Sequence, residues 1–231
     1  MSSAHIPVLE EGLSPAPAEE RPSWRGWLHA GMLPLTIAAG IVLICLADGA
    51  LAKWTSAVFM VTSIMLFGNS ALYHRFAWKP KTKLLLKRID HSNIFLLIAG
   101  TYTPMAALTL SGDKAALLLS LVWGGAVLGI AFRVFWIGAP RWLYVALYLL
   151  LGWAAVMYAV DIYTANPATM ILVAVGGIAY SLGAVAYALK RPNPFPGRFG
   201  FHEVFHAFTV IAFLCHWTAI LLVAVAPPNG V

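Results

Sequence analysis

His202 and His206 stand four residues apart in the stretch Gly200-Phe-His-Glu-Val-Phe-His206. On a helix that spacing places both rings on one face, one turn apart. Two imidazoles so placed can bind one zinc ion. Residues 207–226 that follow are almost all apolar and long enough to span a bilayer. Histidines within a membrane segment are rare and mark functional positions by default. A working site needs a third ligand, a group that orients water, and a housing.

The housing is a membrane bundle. Of the 231 residues, 61% are hydrophobic and 10% charged, and the mean hydropathy is +0.80. A soluble domain carries about 25% charged residues, so the chain is an integral membrane protein. Cys45 and Cys215 both sit in apolar runs, which excludes a disulfide framework and a cysteine-type zinc motif. The net charge of +6 bears on topology and anionic lipid rather than on nucleic acid.

Residues 1–22 are rich in Pro, Ala, Ser and Glu and read as a disordered cytosolic tail, with His5 in it. The next stretch, to His29, mixes cations with tryptophans, as an interfacial segment does. A cleavable signal would begin its charged region about twenty residues earlier, so the first apolar run is expected to be an uncleaved anchor. Seven apolar runs follow, at roughly 30–47, 56–74, 92–110, 115–135, 141–160, 168–189 and 203–226. Turn signals separate them, among them Asp48-Gly49, Gly112-Asp113, Asn166-Pro167 and the proline-rich segment 191–197. No internal repeat is visible, which disfavours an inverted-repeat transporter. The predicted fold is all-α, a polytopic seven-transmembrane-helix bundle over residues 23–226, with a short external tail at 227–231.

Orientation follows from the basic residues. Thirteen of the 15 lie on the amino-terminal side of this topology; Lys53 and Lys114 lie on the other. The positive-inside rule then places the amino terminus in the cytosol and the carboxyl terminus outside a plasma membrane.

That topology gathers chemistry at one level. Ser70 and His74 close the second run, Asp90 and His91 open the third, and His202 and His206 open the seventh, all at the cytosolic side. His216 shares the face of His202, but lies about 15 Å beyond His206 at about 1.5 Å per residue. It cannot share the ion, whereas His74 meets no such obstacle. The metal ligands are therefore read as His74, His202 and His206, with His216 deeper in the bundle as a hydrogen-bonded core residue.

Plainer roles compete with each assignment. His202 and His206 can be interfacial histidines bonded to backbone, and His74 a helix-end histidine near the dipole. Asp90 can cap the third helix, and Ser70 can be a small packing residue. His29 and His91 are read as structural. His202-Glu-Val-Phe-His206 also spells a metalloprotease pattern with Glu203 as base, yet no third ligand follows at short spacing, so Glu203 is a minor candidate.

The motifs Ser70-Ala-Leu-Tyr-His74-Arg, Asp90-His-Ser-Asn through Pro104, and Phe199-Gly-Phe-His202 through His206 with His216 resemble the hemolysin III family. That family is the bacterial branch of the progestin and adipoQ receptors, and is similar to alkaline ceramidases. The resemblance covers about residues 25–226 and implies a seven-helix bundle with zinc held by His74, His202 and His206. It also implies a water held by Asp90, with Ser70 nearby. One departure is visible: many members have a Glu and an Asn shortly before the histidine matching His29, where this chain has Arg25-Gly-Trp-Leu.

The expectation is a zinc-dependent hydrolase. Three imidazoles on zinc bring its water towards a pKa of about 7. Asp90 would orient that water or shuttle its proton, and Ser70 would hydrogen-bond the substrate carbonyl or oxyanion. An apolar bundle favours a membrane lipid amide or ester as substrate. The alternatives are a zinc-stabilised sensor or receptor-like protein, or a cytolytic pore. Few charges line the spans, which argues against a pore.

Overall fold

A computed structural model of the chain describes residues 22–228. The expected tails at 1–22 and 227–231 fall almost wholly outside those residues. Helices make up the described fold: α1 (Trp27–Leu46), α2 (Gly49–Arg75), α3 (Pro80–Thr109), α4 (Gly112–Phe135), α5 (Arg141–Gly152), α6 (Ala159–Ala165), α7 (Pro167–Leu189) and α8 (Phe201–Val225). Their ends follow local chemistry. Gly49 takes a positive φ of 79° in the tight turn after α1. Pro80 and Pro167 occupy first turns, where no amide hydrogen bond is lost. Asn166 caps α7 by accepting from the Thr169 amide at 2.9 Å.

The fold is a polytopic helical membrane protein. Six segments are long and apolar enough to cross a bilayer: α1, α2, α4, the α5–α6 segment, α7 and α8. The expectation of seven such runs is therefore met by six. The third differs in kind. α3 runs 30 residues and starts twelve residues before the expected run at 92, because the basic stretch preceding that run is itself helical from Pro80. It contacts α2, α4, α5, α6 and α8, so much of its surface meets protein rather than lipid and tolerates Asn93, Thr101 and Tyr102. Gly100 permits this packing: a Cβ there would lie 2.0 Å from the Thr62 hydroxyl on α2.

The fifth run is broken. Between α5 and α6 the backbone passes through a 3₁₀ segment, Ala154–Tyr158. Backbone groups freed within a bilayer need partners, and α3 supplies them. The Tyr102 hydroxyl donates to the Gly152 carbonyl at 2.7 Å and accepts from the Ala155 amide at 2.7 Å.

Phe59, Phe67 and Phe213 form an aromatic core between α2 and α8. Outward, Leu35, Ile41, Leu128, Val160 and Leu189 are more than half exposed, a pattern suited to lipid. The helices alternate in direction, so the carboxyl end of α2 and the amino ends of α1, α3 and α8 share one end of the bundle. Contacts tie that end together, including the Ser23 amide to the Gly197 carbonyl. At the opposite end the Asp48 amide bonds the Ala224 carbonyl, and Lys114 pairs with Asp161 at 2.5 Å.

Candidate metal centre

The last turn of α2 and the first two turns of α8 bring three histidines together. One ligand nitrogen from each of His74, His202 and His206 lies within 4.8 Å of the others. The Nε2 atoms of His74 and His202 are 3.1 Å apart. Tetrahedral zinc with Zn–N bonds of 2.0–2.1 Å places its nitrogens about 3.3 Å apart. Three buried or half-buried imidazoles at this spacing fit that donor set.

Asp90 completes the surroundings. Its Oδ2 lies 3.7 Å from His74 Nε2, and the Ser70 side chain hydrogen-bonds the carboxylate. The capping alternative for Asp90 fails, because α3 begins at Pro80 with Lys79 as its N-cap. Asp90 therefore sits three turns inside the helix. Ser70 is buried on α2 one turn before His74 and faces the same cavity as Asp90, which is more than packing alone requires.

His29, read from sequence as structural, lies against the cluster. Its ring stacks on that of His206, with centroids 3.8 Å apart and planes 5° from parallel. A metal lies in the plane of each ring that binds it. Two stacked rings are not placed to share one ion, so His29 packs on His206 and does not extend the donor set. The sequence signal was the histidine itself; nothing in its spacing tied α1 to α8.

Glu203 faces elsewhere. Its Oε1 accepts from Arg25 Nε at 2.5 Å, and its Oε2 accepts from the Gly200 amide at 2.9 Å. Both oxygens hold the start of α8, which corrects the minor reading of Glu203 as a base. Segment 22–26 thereby lies over the cluster, and Gly26 permits the passage. It has a φ of +82°, and a Cβ there would lie 2.7 Å from that of His74. Arg25→Ala leaves Glu203, 1% exposed, as an uncompensated buried charge. Breaking a buried pair typically costs about 3–5 kcal/mol; Arg25 is partly exposed, so about 2–3 kcal/mol is expected. Thermal unfolding in detergent is expected to show a lowered Tm. Glu203→Gln is expected to leave any metal affinity of the three-histidine cluster unchanged, because its carboxylate is bonded to Arg25 and the Gly200 amide.

His91 is apart from the cluster. Arg133, fully buried, donates to its Nδ1, and the guanidinium sits 4.3 Å from the Tyr144 ring centroid. His216 lies deeper, with Nε2 3.3 Å from the Val173 carbonyl, as a core residue should. Between His216 and the cluster runs a cavity lined mostly by apolar side chains, among them Leu97, Ile98, Met105 and Val173. Ser70, Asp90 and His206 stand at one end. The broken fifth segment forms part of its wall through Gly152, Trp153 and Val156. Sequence reasoning did not foresee this wall.

Comparison with known proteins gives a consistent picture. The family model described as Haemolysin-III related matches residues 18–217. The chain is 35% identical over 180 residues to the hemolysin-3 homolog of Bacillus subtilis (strain 168), covering 76% of this chain and 81% of that protein. It is 33% identical over 182 residues to hemolysin-3 of Bacillus cereus, covering 76% and 79%. A shorter similarity, 38% over 68 residues, links it to the ADIPOR-like receptor IZH2 of Saccharomyces cerevisiae, covering 26% of this chain and 22% of that one.

Proposed function

The chain belongs to the haemolysin III family, and from that premise we propose that it is a zinc-dependent hydrolase of a membrane lipid amide or ester. The observation that carries this reading is the junction of a three-histidine cluster with an apolar cavity, at a point where a carboxylate and a hydroxyl also converge. His74, His202 and His206 would hold the ion. Bound zinc supplies Lewis acidity and lowers the pKa of water. Asp90 Oδ2 takes and returns the proton in this reading, and the Ser70 hydroxyl, which donates to the Asp90 carboxylate, would turn its one hydrogen to the oxygen of the scissile carbonyl. The cavity binds the acyl chain and excludes bulk water. His29, stacked on His206, fixes the plane of that ligand.

The test is release of fatty acid from amide and ester lipids by purified protein, with and without added zinc after chelation. Zinc-dependent turnover supports the reading; no turnover of any such lipid argues for a sensor.

The same reading has α3 cross the membrane as a seventh span. It runs from the basic end, next to Arg75, to the end holding Lys114 and Asp161. The basic end would face the cytosol of a cell whose plasma membrane holds the protein, with the site opening there. A periplasmic-type reporter fused after Val231 is expected to be active, and one inserted at Lys83 inactive. Activity at Lys83 would reverse the orientation.

A further inference from the structure

Away from the histidine cluster, most polar side chains along the cavity have partners. Thr101, Tyr102, Ser181 and Thr209 donate to the carbonyls of Leu97, Gly152, Gly177 and Phe205. Tyr148 donates to the His91 carbonyl, and Trp153 to Ser181 Oγ. Among the described residues lining this part of the cavity, two differ. The Tyr180 hydroxyl faces the cavity with no hydrogen bond to these residues, and His216 Nδ1 is buried without a partner. Their rings lie 5.5 Å apart. α7 makes room for the second: at Gly176 a Cβ would fall 2.4 Å from the His216 ring.

Unpartnered polar groups in an apolar cavity are costly, and the cost falls when a ligand supplies the missing bonds. The pairing required can be specified. With Nε2–H directed at the Val173 carbonyl, Nδ1 is an acceptor, while the phenol of Tyr180 is available as a donor. One alcohol group satisfies both, because it donates and accepts. A ketone satisfies Tyr180 alone. His216 lies ten residues beyond His206 on α8, about 15 Å along the axis. An extended chain advances roughly 1.2 Å per bond, so the distance corresponds to about twelve bonds.

We propose that Tyr180 and His216 form a polar subsite that selects a lipid bearing a hydroxyl about twelve carbons from its amide or ester carbonyl. This rests on the lipid reading above and adds a substrate class to it. The carbonyl sits at the histidine cluster, and the hydroxyl lies between the phenol and the imidazole.

The test is equilibrium binding to the purified full-length protein, by competition with a fluorescent fatty-acyl probe. The competitors are an 18-carbon fatty amide, its 12-hydroxy analogue and its 12-keto analogue. One added hydrogen bond gives an expected preference of roughly 3–10-fold for the hydroxy lipid over the plain one, with the keto lipid between them. Tyr180→Phe removes a single oxygen and retains the ring. It is expected to reduce the preference markedly while the plain amide binds at least as well, and His216→Phe to do the same. Equal binding of all three lipids by the wild type would mean that the subsite holds water only, and overturns the proposal. A preference that persists in both variants also overturns it. Equal binding with hydrolysis of the plain amide leaves the hydrolase reading standing while this one falls; failure of every lipid to bind removes both.

Discussion

Alanine at His74, His202 or His206 is expected to strip most of the bound zinc, while alanine at His216 leaves it in place. Among the described residues the three form the one group of donor side chains placed to hold an ion, all within 4.8 Å of one another, and a site with three protein ligands does not hold zinc firmly on two. His216 lies about 15 Å further along α8 and faces the Val173 carbonyl instead. His29→Ala separates ligand from support. Loss of an outer-shell partner typically costs 10–100-fold in metal affinity, so this variant should retain zinc at saturation and release it sooner to a chelator. His29→Phe keeps a stacking ring and should restore much of the affinity. Metal content after dialysis, with chelator competition, distinguishes these cases. Zinc lost in His216→Ala alone would overturn the ligand assignment.

The three-histidine cluster was legible in the sequence because helical geometry is short-ranged and regular. The i, i+4 spacing of His202 and His206 and the charge asymmetry between loops needed no tertiary information. Rejection of His216 as a ligand needed only the rise per residue. What stayed hidden depends on neighbours. The stack of His29 on His206 joins α1 to α8 across more than 170 residues, and no local pattern records it. Arg25 and Glu203 likewise sit on different elements, so the motif suggested a base where the fold places a helix-start clamp. Hydropathy also missed the first twelve residues of α3, which are basic yet helical; the polar residues further along are sheltered by five other helices. The break after Gly152 was invisible because its apolar composition does not change; only the Tyr102 hydroxyl reveals what satisfies it.

Asp90→Asn is expected to lower lipid turnover by about 10²–10⁴, the usual contribution of a positioned acid–base group, while zinc content and helicity persist. The substitution is nearly isosteric, and asparagine still presents an oxygen to Ser70 and an amide to its other neighbours. Helix capping does not enter, since Asp90 lies well inside α3. The change removes the carboxylate 3.7 Å from His74 Nε2, and with it the group that takes a proton in the proposed reaction. A positioning role has a different signature. If Asp90 serves only to orient His74, the variant loses metal affinity and regains turnover when zinc is saturating. Measuring turnover across a zinc titration, with Ser70→Ala beside it, separates the two. Turnover that stays low at saturating zinc identifies Asp90 as the catalytic carboxylate; full recovery assigns it to holding the ligand. Wild-type rates in Asp90→Asn at every zinc concentration would leave the carboxylate no part in the chemistry.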